Sequence, residues 1–269
     1  MNYRLLAMDL DDTLLDNSLR VREEDRRALE RARRAGVVVT LATGRMYRAT
    51  LPFVEELAID APVITYQGAL VKHPRTGRVL LHRPVPLALA LEIVGRLAAR
   101  GFHLNVYLDD ELYVAGHTPE SRLYASISRV EARAVGPLGP FLQKTGRDPT
   151  KVLAIAGEEE INRLLAEMQP LYEGRLHVTK SKPRFLEFSH PRADKGHALA
   201  AVAACYGLRR EEVIAVGDSY NDLEMIDWAG LGVAVANARP EIRARAAFVT
   251  ASNEDGGVAR VVEKFIGAT

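Results

Sequence analysis

Short apolar runs that end in polar residues are the most informative feature of this chain. The first run, from Leu5 to Met8, leads into Asp9 and Asp11, two acids separated by one residue. Alternation along a strand predicts that both carboxylates lie on the same side, and the apolar residues before them indicate a buried strand. Two negative charges at such a short distance raise the energy of the folded protein unless a cation or a shared proton compensates them. One such motif is weak evidence, because an acid at a strand end is often only a helix cap.

Three further segments carry polar groups that could form a site together with these acids. Each segment lies next to a predicted strand end or helix start. They are Thr43-Gly44-Arg45 after a second strand, Lys195 at a helix start, and Gly217 to Asp222 after another strand. Ligands of open α/β sheets bind outside the carboxyl ends of the strands, which is where all four segments fall. Carboxylates, a hydroxyl, an ammonium and a glycine-relaxed turn suit a phosphate with a hard divalent cation, and Mg²⁺ prefers such oxygen ligands.

Composition narrows the class of protein. The 269 residues include 36 Lys+Arg against 35 Asp+Glu, a balance that argues against a general binder of nucleic acid. The first residues show no signal-peptide pattern, and no apolar run approaches the length of a membrane span. The single Cys205 excludes an internal disulfide framework and reads as a buried helix thiol. We therefore expect a cytoplasmic protein without a nucleic-acid or membrane partner.

The order of predicted elements indicates an α/β fold in two parts. Strands and helices alternate in residues 1–83 and again in 190–269, which predicts a Rossmann-like, mostly parallel sheet with helices on both faces. Residues 84–189 break this rhythm, with hairpins and helices but no acid-terminated strand. They are predicted to form an inserted α/β domain, in which Val130 to Thr150 is rich in Gly and Pro and poorly patterned.

The four motifs together resemble those of a known family. In order they are Asp9-x-Asp11-x-Thr13, Thr43-Gly44, Lys195 and Gly217-Asp218-x-x-Asn221-Asp222. This set is similar to the motifs of the haloacid dehalogenase-like hydrolases. The insertion, placed after the second motif and before the lysine, resembles that of their Cof-type sugar-phosphate phosphatases. The resemblance covers the whole chain.

The resemblance implies a role for each acid. Asp9 would be the nucleophile that forms an aspartyl-phosphate, a known route of covalent catalysis. Asp11 would be the general acid and base, and its backbone carbonyl would meet a Mg²⁺ ion. Asp218 would complete the metal ligands together with Asp9, whereas Asp222 would act from the second shell or through water.

The polar residues of the other motifs would hold the phosphate. Thr43, Gly44 and Lys195 would bind its oxygens, where charge gathers during phosphoryl transfer. Asn221 would orient Lys195 or contact a phosphate oxygen. For Arg45 a cap contact, a substrate contact and an internal ion pair all remain open.

Two positions depart from the family pattern. Asp12 stands where relatives often have glycine, which could alter the turn without removing the chemistry. Gln67-Gly68 stands where Asn-Gly is common. Because that asparagine lies near the substrate mouth in relatives, the longer amide could change leaving-group preference or have little effect.

These inferences lead to one expected function and two alternatives. We expect a magnesium-dependent phosphatase of small phosphorylated metabolites, such as sugar phosphates, with the insertion as a cap that closes over the site and sets specificity. A phosphotransferase or sugar phosphomutase would use the same aspartyl-phosphate but pass it to a hydroxyl. A non-catalytic phosphoryl-binding protein would not need both Asp9 and Asp11. The sequence leaves a monomer or a homodimer open.

Overall fold

The computed structural model describes residues 3–267, which fall into two compact units. The core unit combines the chain up to Leu81 with the chain from Asp194 onward. The inserted unit is His82–Ala193. Each unit has its own sheet and its own buried apolar cluster.

The secondary structure alternates in the core unit and is mixed in the inserted unit. The elements in chain order are β1 (Leu5–Met8), α1 (Glu23–Arg34), β2 (Val38–Leu41), α2 (Tyr47–Glu56), β3 (Val63–Thr65), β4 (Leu70–Lys72), β5 (Val79–His82), α3 (Leu87–Ala98), β6 (His103–Leu108), β7 (Glu111–Val114), α4 (Pro119–Ser128), β8 (Ala132–Ala134), α5 (Leu138–Thr145), β9 (Lys151–Ile155), α6 (Glu158–Leu171), β10 (His177–Lys182), β11 (Phe185–Ser189), α7 (Lys195–Cys205), β12 (Val213–Gly217), α8 (Leu223–Trp228), β13 (Leu231–Ala234), α9 (Pro240–Arg245), β14 (Phe248–Val249) and α10 (Gly257–Val261). Across residues 3–267, none of these helices combines the length and apolar character required to cross a bilayer.

A parallel sheet of five strands forms the centre of the core unit, in the order β14-β13-β12-β1-β2. The chain moves outward from β1 through β2 in one direction and from β12 through β14 in the other. The strand order therefore reverses between β1 and β12, where Met8, the last residue of β1, is paired with Val216 of β12. Open α/β sheets bind ligands at such a switch point, beyond the carboxyl ends of the strands. The α/β fold predicted from the sequence is confirmed.

The central strands are apolar throughout because both of their faces are covered. All four residues of β1 are fully buried, and alternation sends Leu5 and Ala7 to one face and Leu6 and Met8 to the other. The face of Leu5 and Ala7 packs with the small and apolar residues of α7. Cys205, the last residue of α7, is exposed, so the prediction of a buried thiol is wrong. A strand buried on both sides gives the continuous apolar run seen in the sequence.

A second, three-stranded sheet of β3, β4 and β5 extends this arrangement. A single parallel bridge between Ala42 and Ile64 links β3 to the end of β2. After β3 the chain makes an unusual turn in which Tyr66, Gln67 and Gly68 all have positive φ, at 52°, 56° and 92°. L-residues avoid this region, so the surrounding contacts must hold the turn in place.

The inserted unit is built on a six-stranded sheet in the order β10-β11-β9-β6-β7-β8. Its pairs are antiparallel except for β7 with β8, which run parallel. Apolar residues of α3, α5 and α6 pack on one face of the sheet, where Val106, Val152 and Phe188 are fully buried. This unit therefore has a complete core of its own.

The segment that the sequence left unpatterned between Val130 and Thr150 is regular in the structure. It contains β8 and α5, and α4 precedes it. α4 starts with a capping box between Thr118 and Ser121, a start signal that the sequence does carry. α5 is short, and its Gly139 and Pro140 lie in the first turn, where proline costs no hydrogen bond. Shortness and proline explain why periodicity failed to reveal it.

A buried carboxylate on α1 joins two helices of the core unit. Asp25 is 1% exposed, and its Oδ1 accepts a 2.7 Å hydrogen bond from the backbone N–H of Ala259 in the first turn of α10. Such a contact satisfies a helix N–H that has no partner within its own helix. Burial nevertheless raises the pKa of Asp25 to about 6. The charged form is therefore less stable in the folded protein than in water.

We expect Asp25→Asn to stabilise the protein more at high pH than at low pH. The folded-state pKa lies above the unfolded value, so the wild type loses stability as the pH rises from about 4 through about 6. The neutral amide keeps an oxygen for Ala259 and lacks this loss. The stability difference should grow by about 1 kcal/mol between pH 5 and pH 8, measured by urea unfolding. Glu30→Gln, whose parent side chain on α1 is 42% exposed, is the control. A pH-independent difference would show that burial of the charge is not the cause.

Candidate active site

Asp9 lies immediately after β1, at the point where the strand order reverses. Its backbone N–H donates to Val216 of β12 at 3.0 Å, which extends the parallel pairing by one residue. The residue is 6% exposed, and its Oδ1 accepts a 2.6 Å bond from the Lys195 ammonium. Burial raises the pKa of Asp9 well above its ordinary range, because the Lys195 charge offsets only part of the desolvation. A carboxylate in this position needs further positive charge.

Lys195 is fully buried at the first position of α7 and lies between two carboxylates. Its Nζ is 2.6 Å from Asp9 Oδ1 and 2.6 Å from Asp222 Oδ1. Burial alone would lower the pKa of Lys195, but the charges of Asp222 and Asp9 raise it above its ordinary value. The preceding residue, Asp194, caps α7 by accepting from the N–H of His197 at 2.8 Å. The ammonium is therefore fixed by a rigid helix end and carries its charge.

The left-handed turn after β3 holds this helix start in place. A Cβ on Gly68 would lie 2.1 Å from the carbonyl oxygen of Asp194, so only glycine allows the approach. Its φ of 92° independently favours glycine, which has no Cβ to clash with its own backbone. Gly68 thus positions the Lys195 helix without contacting its ammonium.

The turn after β12 is organised by Asp222. Its Oδ2 accepts from the backbone N–H groups of Asp218 and Ser219, both at 3.0 Å, while its Oδ1 binds Lys195. A Cβ on Gly217 would lie 2.5 Å from the Asp222 Cβ, so glycine is needed where the strand ends. Asp222 is fully buried and uses both oxygens within the protein.

Asp218 completes a cluster of three acids. Its Oδ1 accepts from the Thr13 hydroxyl at 2.9 Å, and burial, with the charge of Asp222, raises the pKa of Asp218 to about 7. One oxygen from each of Asp9, Asp218 and Asp222 lies within 4.8 Å of the other two. Three carboxylates share a single ammonium here. The oxygens of Asp9 and Asp218 are suited to a hard divalent cation, since Asp222 is already committed.

Asp11 does not lie beside Asp9 as strand alternation suggested. β1 ends at Met8, and the chain then turns, with Asp12 at a φ of 61°. The Asp11 carboxylate is 45% exposed and pairs with Arg45 at 2.6 Å, and within residues 3–267 it is not part of the three-acid cluster. Of the readings left open for Arg45, the structure shows the internal ion pair.

Thr43 and Gly44 form a tight turn at the end of β2. The Thr43 hydroxyl is buried and accepts from the Arg45 N–H at 3.2 Å. The Thr43 carbonyl accepts from the N–H of Gln67 at 3.1 Å. A Cβ on Gly44 would lie 2.3 Å from the Gln67 amide nitrogen, so the turn and that side chain are in close contact.

Several of these contacts were not foreseen from the sequence. The residue that orients Lys195 is Asp222 and not Asn221, whose amide instead donates to Gln67 Oε1 at 2.8 Å. Thr13 was noted only as part of a motif, yet it binds Asp218. A hydroxyl two residues after the second acid was a usable signal for such a contact. The pairing of Asn221 with Gln67 joins two loops and had no local signal.

Comparison with known proteins identifies the class. A family model described as haloacid dehalogenase-like hydrolase matches residues 6–262, so the chain belongs to the haloacid dehalogenase-like hydrolases. It is 32% identical over 276 residues to a putative phosphatase, YxeH, of Bacillus subtilis (strain 168), and covers 98% of both chains. It is 29% identical to the 5-amino-6-(5-phospho-D-ribitylamino)uracil phosphatase YitU of the same organism, over 97% of both. The crystal structure of TM0651 from Thermotoga maritima matches with a TM-score of 0.89 and 33% identity, over 99% of this chain and 98% of that one.

We expect Lys195→Met to destabilise the protein by about 3–5 kcal/mol, because removing one partner of a buried ion pair leaves uncompensated charge. Asp9 and Asp222, each of which has an oxygen 2.6 Å from the ammonium in the wild type, would then lie near each other without that cation. Urea unfolding in chelator gives the free energy, and the exposed Lys144→Met is the matched control. Adding Asp222→Asn to Lys195→Met should recover part of the loss, since the two sites are coupled. Strictly additive losses would contradict this account.

Proposed function

We propose that the protein is a magnesium-dependent phosphatase that hydrolyses small phosphate monoesters through an aspartyl-phosphate on Asp9. The observation that carries this proposal is the Asp9 carboxylate, buried at the switch point, held by Lys195 and adjacent to Asp218. A fixed carboxylate beside a surplus of negative charge suits a nucleophile that works with a bound cation. Membership of the hydrolase family supports the same conclusion.

Mg²⁺ fits the donor set of this site. Asp9 and Asp218 offer hard carboxylate oxygens, and burial raises the pKa of both, an effect that a bound cation would oppose. We assign these two side chains, with the Asp11 backbone carbonyl, as metal ligands, and Asp222 as a residue that supports them. Bound Mg²⁺ would neutralise the carboxylates and the phosphate that approaches them.

Protein residues divide the two chemical steps between them. An Asp9 oxygen forms a bond to phosphorus while the ester oxygen leaves, and Asp11 gives that oxygen a proton. Asp11 then takes a proton from water, which attacks the phosphorus of the acyl phosphate and releases inorganic phosphate. Lys195 and the Thr43 hydroxyl, with the Gly44 turn, hold the phosphate oxygens where charge develops.

We assign Asn221 to phosphate binding, and its side-chain amide is held by a hydrogen bond to Gln67 Oε1. Gln67 is held in a left-handed conformation, which costs energy that its contacts must offset. We infer that this pair limits the leaving groups that the site accepts.

The substrate class is that of small phosphorylated metabolites. The relative YitU is a phosphatase of a phosphorylated ribitylamino compound, which supports a polyol or sugar phosphate here. We propose that the inserted unit, His82–Ala193, acts as the cap that selects among such esters. Replacing water as acceptor by a hydroxyl would turn the same chemistry into phosphoryl transfer, so release of inorganic phosphate without an added acceptor is the deciding result.

Asp9→Asn should abolish phosphate release, because the amide cannot attack phosphorus. A panel of phosphorylated metabolites, assayed with Mg²⁺ and with chelator, should show metal-dependent release by the wild type. When the enzyme is quenched during turnover and then reduced with borohydride, mass spectrometry should find the modified residue at position 9. Asp227→Asn, outside the cluster, is the matched control. Full activity in chelator would refute the metal role, and activity in Asp9→Asn would refute the nucleophile.

Mg²⁺ should also raise the thermal stability of the protein in the absence of substrate. A ligand that binds only the folded state stabilises it by about 2.7 kcal/mol at 100 times its dissociation constant. Asp218→Asn keeps an oxygen for the Thr13 hydroxyl but loses a ligand charge, so the shift in Tm should largely disappear. Asp227→Asn should keep the shift. An unchanged shift in Asp218→Asn would place the ion elsewhere.

A further inference from the structure

Asp11 and Arg45 form a two-pronged ion pair. Arg45 Nε donates to Asp11 Oδ2 at 2.9 Å, and Arg45 Nη2 donates to Asp11 Oδ1 at 2.6 Å. The planar guanidinium matches a carboxylate in this way and fixes its orientation as well as its position. Both oxygens of Asp11 are thus held by a residue that has no part in the chemistry assigned above.

Arg45 is itself firmly placed. Its side chain is 19% exposed, and its guanidinium carbon lies 5.0 Å from the centre of the Phe53 ring on α2. Stacking on an aromatic face stabilises an arginine and limits its rotamers. Its backbone N–H donates to the Thr43 hydroxyl, and its carbonyl accepts from the N–H of Tyr66 at 3.0 Å. Arg45 is therefore held both at its backbone and at its guanidinium.

Asp11 lies in an irregular turn and not in a strand or a regular helix. Its side chain is 45% exposed, and it lies in a turn next to Asp12, which has a φ of 61°. An exposed carboxylate on a turn can occupy several staggered rotamers. Displacing a catalytic group by about 1 Å can cost on the order of a hundredfold in rate. The two hydrogen bonds from Arg45 supply a restraint of this kind on the Asp11 carboxylate.

We propose that Arg45 is the positioning residue of Asp11: it acts on the reaction through the orientation of that carboxylate and not by binding the substrate. This inference rests on the proposed function, since it assigns a partner to the proposed acid and base. Phe53 belongs to the same device, because its ring supports the guanidinium. The Thr43 turn is linked to it through the backbone of Arg45.

A double-mutant cycle tests this proposal. With Mg²⁺ and the best substrate of the metabolite panel, Arg45→Ala should lower kcat by roughly tenfold to a hundredfold and change KM by less than about threefold. In an Asp11→Asn background, Arg45→Ala should cause no further loss, because the group that it positions is already absent. A rise in KM with kcat unchanged, or losses that multiply in the double variant, would overturn the proposal.

The dependence of activity on the leaving group provides a second test. A general loss of structure would not change this dependence. A 4-nitrophenolate leaves without a proton, whereas an alkoxide needs one from Asp11. Arg45→Ala should therefore lose more activity on an alkyl phosphate than on 4-nitrophenyl phosphate, as Asp11→Asn should. Equal losses on both substrates would overturn the proposal.

Two further variants keep the test independent of folding. Arg45→Lys retains the charge but not the two-pronged geometry, so it should show the same leaving-group pattern in milder form. Arg26→Ala, on the exposed face of α1, should behave as the wild type. Failure of the wild type to release phosphate from any ester would overturn the proposed function and the role of Arg45 with it. An active wild type with an Arg45 effect that is independent of Asp11 would overturn only the role of Arg45.

Discussion

The buried ammonium of Lys195 is the interaction on which the site depends. It lies 2.6 Å from a carboxylate on each side, and its removal would leave both buried carboxylates without their charged partner. The backbone around it is shaped to permit this contact, with Gly68 against the helix start and Gly217 against Asp222. A single positive charge does not balance the neighbouring acids, so the same arrangement that satisfies Asp222 leaves Asp9 short of partners. The Lys195 side chain thus both stabilises the fold around Asp222 and holds the carboxylate of Asp9.

The sheet makes this arrangement possible because its strand order reverses between β1 and β12. Helices cannot cover the crevice at that point, and two strands deliver their acids to it from regions far apart in the sequence. Asp9 and Lys195 are separated by 186 positions, and the inserted unit occupies most of that interval. β1 and β12 pair over four residues although the inserted unit separates them in the sequence. The sheet, and not closeness in sequence, therefore brings the acids together.

Sequence patterns located the main elements because burial and periodicity report on them directly. The apolar run that predicts a buried first strand, Leu5 to Met8, is β1, and the structure buries all four of its residues. Side-chain partners were harder to predict. Asp11 faces Arg45 because the chain leaves the strand at Asp9, and no local signal distinguishes that turn from a continued strand. The choice of Asp222 over Asn221 as the lysine partner depends on which side of a short turn each residue occupies.

The pairing of β1 with β12 also sets the order in which the molecule can be assembled. Leu5 is paired with Val213, so β1 emerges from the ribosome long before β12, its neighbour on one side, has been synthesised. The strands of the inserted unit pair within His82–Ala193 and are complete earlier. Closing a loop of this length costs chain entropy before any contact repays it. During translation the amino-terminal third must therefore wait with an unpaired apolar edge, which makes this stage the one most exposed to aggregation.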